Sequence, residues 1–264
     1  GQRTLQFIQT PMVHWPDNMV TYALEDKLLF SNDAFGQFLA TSERFDDEVD
    51  RSLLFSCAKK YFANIIMPFA KQTAKAVAAV KGLDLDMIAP SHGLIWRSQI
   101  PAILEAYESW CQLKPTSSAV VTYASMYGST GRMARAIAEA FASQGISVRL
   151  YDLKVSDISD IMDHVMDAQY VAVGSSCQNM TVLPEAGRFL TYLKGLAPKG
   201  RTGIAFGSYG WSEAGQQEIS AVLQEAGFTV PLESFTAEWN STREGEECLF
   251  SAICSLVSEQ AEEL

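Results

Sequence analysis

The chain of 264 residues is 48% hydrophobic and carries a formal net charge of −11 at pH 7. This length and apolar fraction predict two domains with separate cores. The negative net charge argues against a nucleic-acid partner, because binding nucleic acid requires a basic surface. The sequence contains no run of about 18 apolar residues, so no membrane span is predicted. The five cysteines show neither CxxC nor metal-knuckle spacing, which predicts a reducing, cytoplasmic environment.

The first part of the chain contains few regular patterns. Residues 4–10 predict a strand that begins abruptly, without a signal sequence or disordered leader before it. Acidic residues between 43 and 50 are interpreted as the solvated start of a helix, and Tyr61 and Asn64 as packing residues on the long helix that follows. A helix near 103–111 precedes a linker near 112–118. We therefore predict domains at residues 1–113 and 114–264.

From residue 118 onward, short apolar strands alternate with amphipathic helices. Strands are predicted near 118–124, 146–151, 169–174, 202–207 and 228–232, and helices near 129–143, 157–165, 184–195, 212–226 and 243–260. This alternation predicts an α/β fold with a doubly wound parallel sheet covered on both faces. Ligands of such sheets bind beyond the carboxyl ends of the strands.

The loop after the first of these strands predicts a phosphate site. Residues 125–130 (Ser-Met-Tyr-Gly-Ser-Thr) open a helix whose N-cap is predicted to be Ser129 or Thr130. Backbone N–H groups of the first turn, the positive helix end and the loop hydroxyls are suited to an anion. The loop contains neither a lysine nor GxxxxGK[ST], so a phosphomonoester that is bound and kept is favoured over a hydrolysed nucleotide. The alternative is an ordinary βα turn with a hydroxyl cap.

Two further loops follow predicted strands at the same edge. Residues 174–184 contain Ser175, Ser176, Cys177, Gln178 and Asn179, and residues 207–212 contain Ser208, Tyr209, Gly210 and Trp211. The two aromatic residues lie where a ring system could stack, and the flanking glycines allow backbone N–H groups to approach it. The thiol in the first of these loops is interpreted as a small loop residue rather than a redox group.

Residues 118–262 resemble the flavodoxin-like domain of flavodiiron proteins. Upstream, residues 12–17, 31–36, 61–65 and 91–96 match later motifs of the metallo-β-lactamase-like domain of the same family. The likeness spans essentially the whole chain and is nearest to the rubredoxin:oxygen oxidoreductases. It implies a partial αββα sandwich followed by a flavodoxin-like sheet with strand order 2-1-3-4-5.

The resemblance also implies FMN as a cofactor. Its phosphate is expected at the first loop, on Ser125, Met126, Tyr127, Gly128, Ser129 and Thr130. The ribityl chain and ring are expected on Ser175, Ser176, Cys177, Gln178, Asn179, Ser208, Tyr209, Gly210 and Trp211.

Three residues match iron ligands of the family. His14 and His92 correspond to two histidines and Asp33 to the carboxylate that bridges two irons, whereas the family's His-x-Glu-x-Asp-His motif is absent from the sequence. Three ligands are too few for a diiron centre. The residues are therefore inherited positions without metal, or part of a site that a missing N-terminal half or a partner chain completes, or part of an unrelated metal arrangement. Trp15 and Trp96, beside the histidines, are interpreted as core residues.

The function implied by the resemblance is electron transfer. Rubredoxin or a similar donor reduces FMN, and a diiron centre reduces dioxygen to water, nitric oxide to nitrous oxide, or both, within a head-to-tail homodimer. A half-sandwich would expose an apolar face, so we expect this segment to bind a second polypeptide or to belong to a longer one. The alternatives are an FMN-binding electron-carrier module with a metal-free remnant domain and a flavin-dependent quinone or nitro reductase.

Overall fold

The computed structural model describes residues 1–196 and 198–262. They form two compact units, Gly1–Lys114 and Pro115–Leu264. No helix in these ranges is both long and apolar enough to cross a membrane.

The first unit contains a four-stranded sheet and three helices. The strands lie in the order β1 (Leu5–Gln9), β2 (Met19–Ala23), β3 (Leu28–Asn32) and β4 (Met87–Pro90), and only the β3–β4 pair is parallel. Helix α1 (Arg51–Tyr61) continues through a π-helical turn (Phe62–Ile66) and a 3-10 turn (Met67–Phe69) into α2 (Ala70–Lys81). Helix α3 (Ile100–Trp110) ends the unit.

The two faces of this sheet differ in burial. Side chains alternate between faces along a strand, and Val20, Tyr22 and Leu29 are buried on one face. The opposite face carries four large apolar side chains that are about half exposed. We call these four residues the apolar sheet face: Leu5, Phe7, Met19 and Phe30. An uncovered apolar face of this kind is the surface expected of half a sandwich.

The acidic segment before α1 has two structural roles. Asp50 caps α1 by accepting a hydrogen bond from the backbone N–H of Leu53. Asp46, in contrast, is buried and accepts the backbone N–H groups of residues 97–99 ahead of α3. Its interpretation as a solvated residue was wrong, because unpaired N–H groups at a helix start attract a carboxylate from elsewhere in the chain.

The second unit is a five-stranded parallel sheet with helices between the strands. The strands are β5 (Thr116–Ala124), β6 (Ser147–Asp152), β7 (Ala168–Ser175), β10 (Thr202–Tyr209) and β11 (Phe235–Glu238), in the order β6-β5-β7-β10-β11. This confirms the order 2-1-3-4-5. The helices are α4 (Ser129–Ser143), α5 (Ile158–Val165), α6 (Pro184–Leu196), α7 (Ala214–Glu225) and α8 (Arg243–Glu262), and a short hairpin pairs β8 (Cys177–Gln178) with β9 (Thr181–Val182).

Helices α4 and α8 bury one face of this sheet. Ile137 and Phe141 of α4 and Ile253 and Leu256 of α8 are fully or almost fully buried in the same apolar cluster as Val121 of β5. The central strands are therefore apolar along nearly their whole length. Polar residues that could bind a ligand lie instead in the loops at the carboxyl edge of the sheet.

The linker and the last strand differ from their predicted positions. Strand β5 begins at Thr116, so the predicted linker near 112–118 is shorter than expected. The fifth strand was predicted near 228–232 but forms at Phe235–Glu238, and the earlier segment makes a single bridge, between Thr202 and Thr229. Pro231 explains the shift, because proline has no N–H to donate to a sheet ladder.

Candidate functional site

A cavity of about 370 Å³ lies at the carboxyl edge of the flavodoxin-like sheet. The loops after β5, β7, β10 and β11 all contribute to it. Its lining includes Trp239 and eleven of the fifteen predicted flavin residues. These eleven are Met126, Tyr127, Ser129, Ser176, Cys177, Gln178, Asn179, Ser208, Tyr209, Gly210 and Trp211. The three loops that the sequence predicted to form the site therefore meet at this cavity.

The other four predicted residues, Ser125, Gly128, Thr130 and Ser175, do not line this cavity in the described chain. Ser125 Oγ accepts the N–H of Gly128 at 3.0 Å and so shapes the first loop. The hydroxyl of Ser175 is fully buried, accepts the N–H of Leu183 at 2.9 Å and donates to the carbonyl of Ser176. These residues set the shape of the loops.

The start of α4 provides unpaired backbone N–H groups beside the cavity. Gly128 is the N-cap, with a left-handed φ of 88°, and no side chain in the described ranges caps the helix. The prediction of Ser129 or Thr130 as N-cap was wrong, because glycine adopts positive φ at little cost and moves both residues into the first turn. Both are buried there. The arrangement fits a phosphate, which N–H groups at a helix start bind without a cation.

Three buried hydroxyls form a closed triangle behind this helix start. Thr130 Oγ1 lies 3.1 Å from both Ser176 Oγ and Ser208 Oγ, and the two serine oxygens are 3.2 Å apart. The N–H of Met126 donates to Ser176 Oγ at 3.2 Å. We call Thr130, Ser176 and Ser208 the hydroxyl triangle. It joins the first turn of α4, the loop after β7 and the end of β10 by neutral hydrogen bonds.

One cation lies closer to the first loop than the sequence suggested. The loop itself contains no lysine, but Lys154, after β6, donates from Nζ to the carbonyl of Ser125 at 2.5 Å. This contact joins residues far apart in the chain, so loop composition alone could not indicate it.

Three aromatic residues of the cavity lining have largely exposed side chains. Tyr127, Trp211 and Trp239 are 86%, 77% and 65% exposed, respectively. The N–H of Trp239 donates to the carbonyl of Tyr209 at 2.7 Å, and its ring lies so close to Gly210 that a Cβ there would be 3.0 Å away. Sequence reasoning missed Trp239 because the strand that precedes it was placed too early. Burial and the neighbouring Glu213 raise the pKa of Tyr209, so its phenol is neutral at physiological pH.

The loop after β7 contains the β8–β9 hairpin, which the sequence did not predict. Asn179 and Met180 form its turn with left-handed φ values of 50° and 67°. Both are unusual for residues other than glycine, and such conformations concentrate at binding sites. The hairpin presents Cys177, Gln178 and Asn179 to the cavity.

The three predicted iron ligands lie together in the first unit. His14 Nε2 is 3.6 Å from Asp33 Oδ2, and His92 Nε2 is 3.3 Å from Asp33 Oδ1. Each imidazole therefore faces a different oxygen of one carboxylate. Within residues 1–196 and 198–262, no three His, Cys, Asp or Glu side chains converge on a single metal position. This donor set fits a carboxylate that bridges two metal ions, with one imidazole for each, and it leaves both positions short of ligands.

Aromatic residues next to this cluster differ in burial. Trp96 is fully buried and donates from Nε1 to the carbonyl of Phe35, as expected for a core residue. Trp15 is 63% exposed with its ring 6.1 Å from that of His14, so its prediction as a core residue was wrong. It lies in the loop between β1 and β2, beside the uncovered face of the sheet. Burial, and then the charge of Asp33, raise the pKa of Tyr61 well above its usual value, which keeps this phenol protonated.

Two family models match the chain. The model for flavodoxin matches residues 121–252, and the model for the ODP family beta lactamase matches residues 1–93. The nitric oxide reductase of Moorella thermoacetica is 44% identical over 228 residues, which cover 86% of this chain and 57% of that protein.

Solved structures agree with these matches. The rubredoxin oxygen:oxidoreductase from Desulfovibrio gigas has a TM-score of 0.92 at 38% identity, covering 96% of this chain and 64% of that one. The flavodiiron protein from Giardia intestinalis has a TM-score of 0.92 at 36% identity, covering 97% and 64%. The chain thus spans less than two thirds of each relative. The flavodoxin domain and these relatives imply FMN and a diiron centre. The chain belongs to the flavodiiron protein family.

Proposed function

We propose that this chain carries the flavin site and part of the iron site of an oxidoreductase that reduces dioxygen to water, nitric oxide to nitrous oxide, or both. Rubredoxin or a similar protein is the proposed electron donor. One observation carries the proposal: the same chain has a phosphate-suited cavity on a flavodoxin-like sheet and a carboxylate faced by two histidines. The names of the Moorella and Desulfovibrio relatives support the choice of substrates and donor.

At the phosphate end, the proposed donors are the first N–H groups of α4 together with the hydroxyl of Ser129. Ser129 Oγ already accepts the N–H of Ser241 at 2.8 Å, and its own proton is available to a ligand oxygen. Hydrogen bonds to a charged phosphate stabilise by about 1.5–3 kcal/mol each. A few such bonds are enough for tight binding without a cation in the loop.

At the ring end, the chain contributes aromatic and polar walls. Tyr127, Trp211 and Trp239 offer aromatic surfaces that exclude water, and residues 177–179 and 208–210 line the same cavity. When bound, FMN supplies the electron-transfer chemistry and an iron pair supplies the site of gas reduction. The role of the chain is to hold, orient and shield these groups.

At the iron end, Asp33 would supply the carboxylate shared by the irons, and His14 and His92 would each supply an imidazole ligand. The remaining ligands would come from a missing N-terminal half or a partner chain. The apolar sheet face is the surface that this polypeptide would cover. A head-to-tail homodimer would bring the flavin of one subunit to the irons of the other.

The ratio of iron to FMN in native material tests the proposal. Two irons per FMN, with dioxygen or nitric oxide consumption driven by reduced rubredoxin, are expected. The Asp33→Asn variant should lose iron and gas reduction while it keeps FMN, whereas Asp17→Asn, in the same loop as His14, should keep all three. Gas reduction in protein that lacks iron would contradict the assignment.

The small number of ligands near Asp33 favours a second candidate function, that of an electron-carrier module. One imidazole and one oxygen of the shared Asp33 carboxylate for each metal do not complete an iron site in the described residues. If native material contains FMN, lacks iron and still exchanges electrons with a donor, the chain is an electron-carrier module with a remnant first domain. The iron measurement separates these two functions directly.

A further inference from the structure

The β8–β9 hairpin is a wall of the cavity that cannot hold its own shape. It contains two residue pairs, Cys177 with Val182 and Gln178 with Thr181. Hairpins this short are unstable by themselves in water. Its turn also places Asn179 and Met180 in left-handed conformations that cost free energy. Contacts from another element must therefore set its position.

Helix α7 provides those contacts from outside the cavity. Glu218 Oε2 accepts a hydrogen bond from Thr181 Oγ1 at 2.6 Å and one from the N–H of Val182 at 3.3 Å. Both bonds end on β9, the strand of the hairpin that lies further from the ring loop of β10. A carboxylate with two donors on one oxygen makes charge-assisted bonds, which are stronger than neutral ones.

Gln216, two residues earlier in α7, joins the two strands that carry the ring loops. It is fully buried, and Nε2 donates to the carbonyl of Ser175 at 2.9 Å and to that of Ser208 at 3.3 Å. Ser175 ends β7 and Ser208 lies near the end of β10. One amide group therefore links the ends of the two paired strands from which these loops begin.

Close backbone packing supports the same arrangement. A Cβ at Gly215 would lie 3.1 Å from the carbonyl oxygen of Thr181 and 3.5 Å from Cys177 Cα. The first turn of α7 thus rests directly on the hairpin. We call Gly215, Gln216 and Glu218 the α7 brace. None of the three is among the cavity-lining residues of the described chain.

We propose that the α7 brace positions the flavin wall and thereby sets both the affinity for FMN and its reduction potential. The brace acts through the hairpin: it fixes which backbone and side-chain groups of residues 177–179 meet the ring. Oxidised and reduced flavin differ in charge and in hydrogen-bonding needs at the ring edge, so a displaced wall changes their relative binding. This inference rests on the proposed FMN site.

A double-mutant cycle on Glu218 and Thr181 tests the brace. Glu218→Ala and Thr181→Val should each weaken FMN binding, measured by fluorescence titration, by roughly 5- to 30-fold. Both changes break the bond between Thr181 and Glu218, and Glu218→Ala also removes the bond from Val182. The double variant should therefore bind FMN about as weakly as Glu218→Ala alone. Glu218→Gln keeps an acceptor oxygen and should recover most of the affinity. Gln217→Ala, the exposed neighbour on α7, is the matched control and should bind like the parent chain.

The reduction potential separates positioning from general stability. At saturating FMN, the Glu218→Ala and Thr181→Val variants should show a shifted potential and an altered visible spectrum, whatever their melting temperatures. A lower melting temperature with parental potential and spectrum would overturn the inference, as would FMN binding equal to that of Gln217→Ala. A parent chain that binds no FMN would overturn the proposed flavin site, and the inference with it.

Discussion

Gly207 is the position where the structure predicts the largest effect of a single added methyl group. A Cβ there would lie 1.9 Å from the carbonyl oxygen of Ser175 and 2.6 Å from Gln216 Nε2. Close packing allows such atoms no nearer than about 3 Å, so the ends of β7 and β10 would have to separate by about 1 Å. That movement would lengthen the 2.9 Å bond from Gln216 to Ser175 beyond useful range.

The expected cost of Gly207→Ala follows from these two effects. Overpacking costs about 1–3 kcal/mol, and a lost bond in a buried site costs about 1–3 kcal/mol more, so the free energy of unfolding should fall by about 2–6 kcal/mol. For a chain of this size, this lowers the melting temperature by about 5–20 °C. FMN affinity should fall by more than about tenfold, because a site loosened by about 1 Å no longer fits its ligand.

Thermal unfolding and FMN titration of two alanine variants provide the assay. Gly195→Ala is the matched control, since a Cβ at this position in α6 meets no atom within 4 Å. Alanine in a helix should stabilise by about 1 kcal/mol relative to glycine. If Gly207→Ala melts and binds FMN like Gly195→Ala, the close approach of β7 and β10 does not hold the cavity together, and the reasoning fails.

Three further predictions concern separate parts of the chain. The double change Ser129→Ala and Thr130→Ala should lose FMN, and yellow colour that survives dialysis would count against the phosphate assignment. Trp239→Ala should weaken FMN binding by roughly fivefold and increase quenching of flavin fluorescence by iodide, because an aromatic wall is worth about 1 kcal/mol and excludes water. Burial raises the pKa of Cys111 to about 12, so its thiol is neutral at pH 8.5 and should be alkylated far more slowly than exposed Cys248, as peptide mass spectrometry can measure.

Periodicity was sufficient to predict most of the second unit. Helix α4 forms at Ser129–Ser143, as its amphipathic pattern predicted, although its N-cap is Gly128 rather than Ser129 or Thr130. The three ring and phosphate loops also met as expected, since parallel strands place their carboxyl ends on one edge. These are local patterns combined with one general rule of topology.

The differences arose where distant segments decide the structure. Pro231 moved the last strand and with it Trp239, whereas Asp46 became buried because residues 97–99 needed an acceptor. Gln216 gave no signal in the sequence, because a glutamine on a helix is usually solvated and its two acceptors belong to other strands. Contacts of this kind join residues at no fixed spacing in the sequence, so a sequence pattern cannot predict them.

The hydroxyl triangle limits the binding free energy that a ligand can gain from its three hydroxyls. Thr130, Ser176 and Ser208 each have one hydroxyl proton, and the three bonds among them use all three. A phosphate oxygen that accepts one of these protons replaces an existing bond and adds none, so the exchange is close to even in energy. The attraction must then come from the amides of α4. The closed ring of hydroxyls holds the start of α4, the loop after β7 and the end of β10 together whether or not an anion is present.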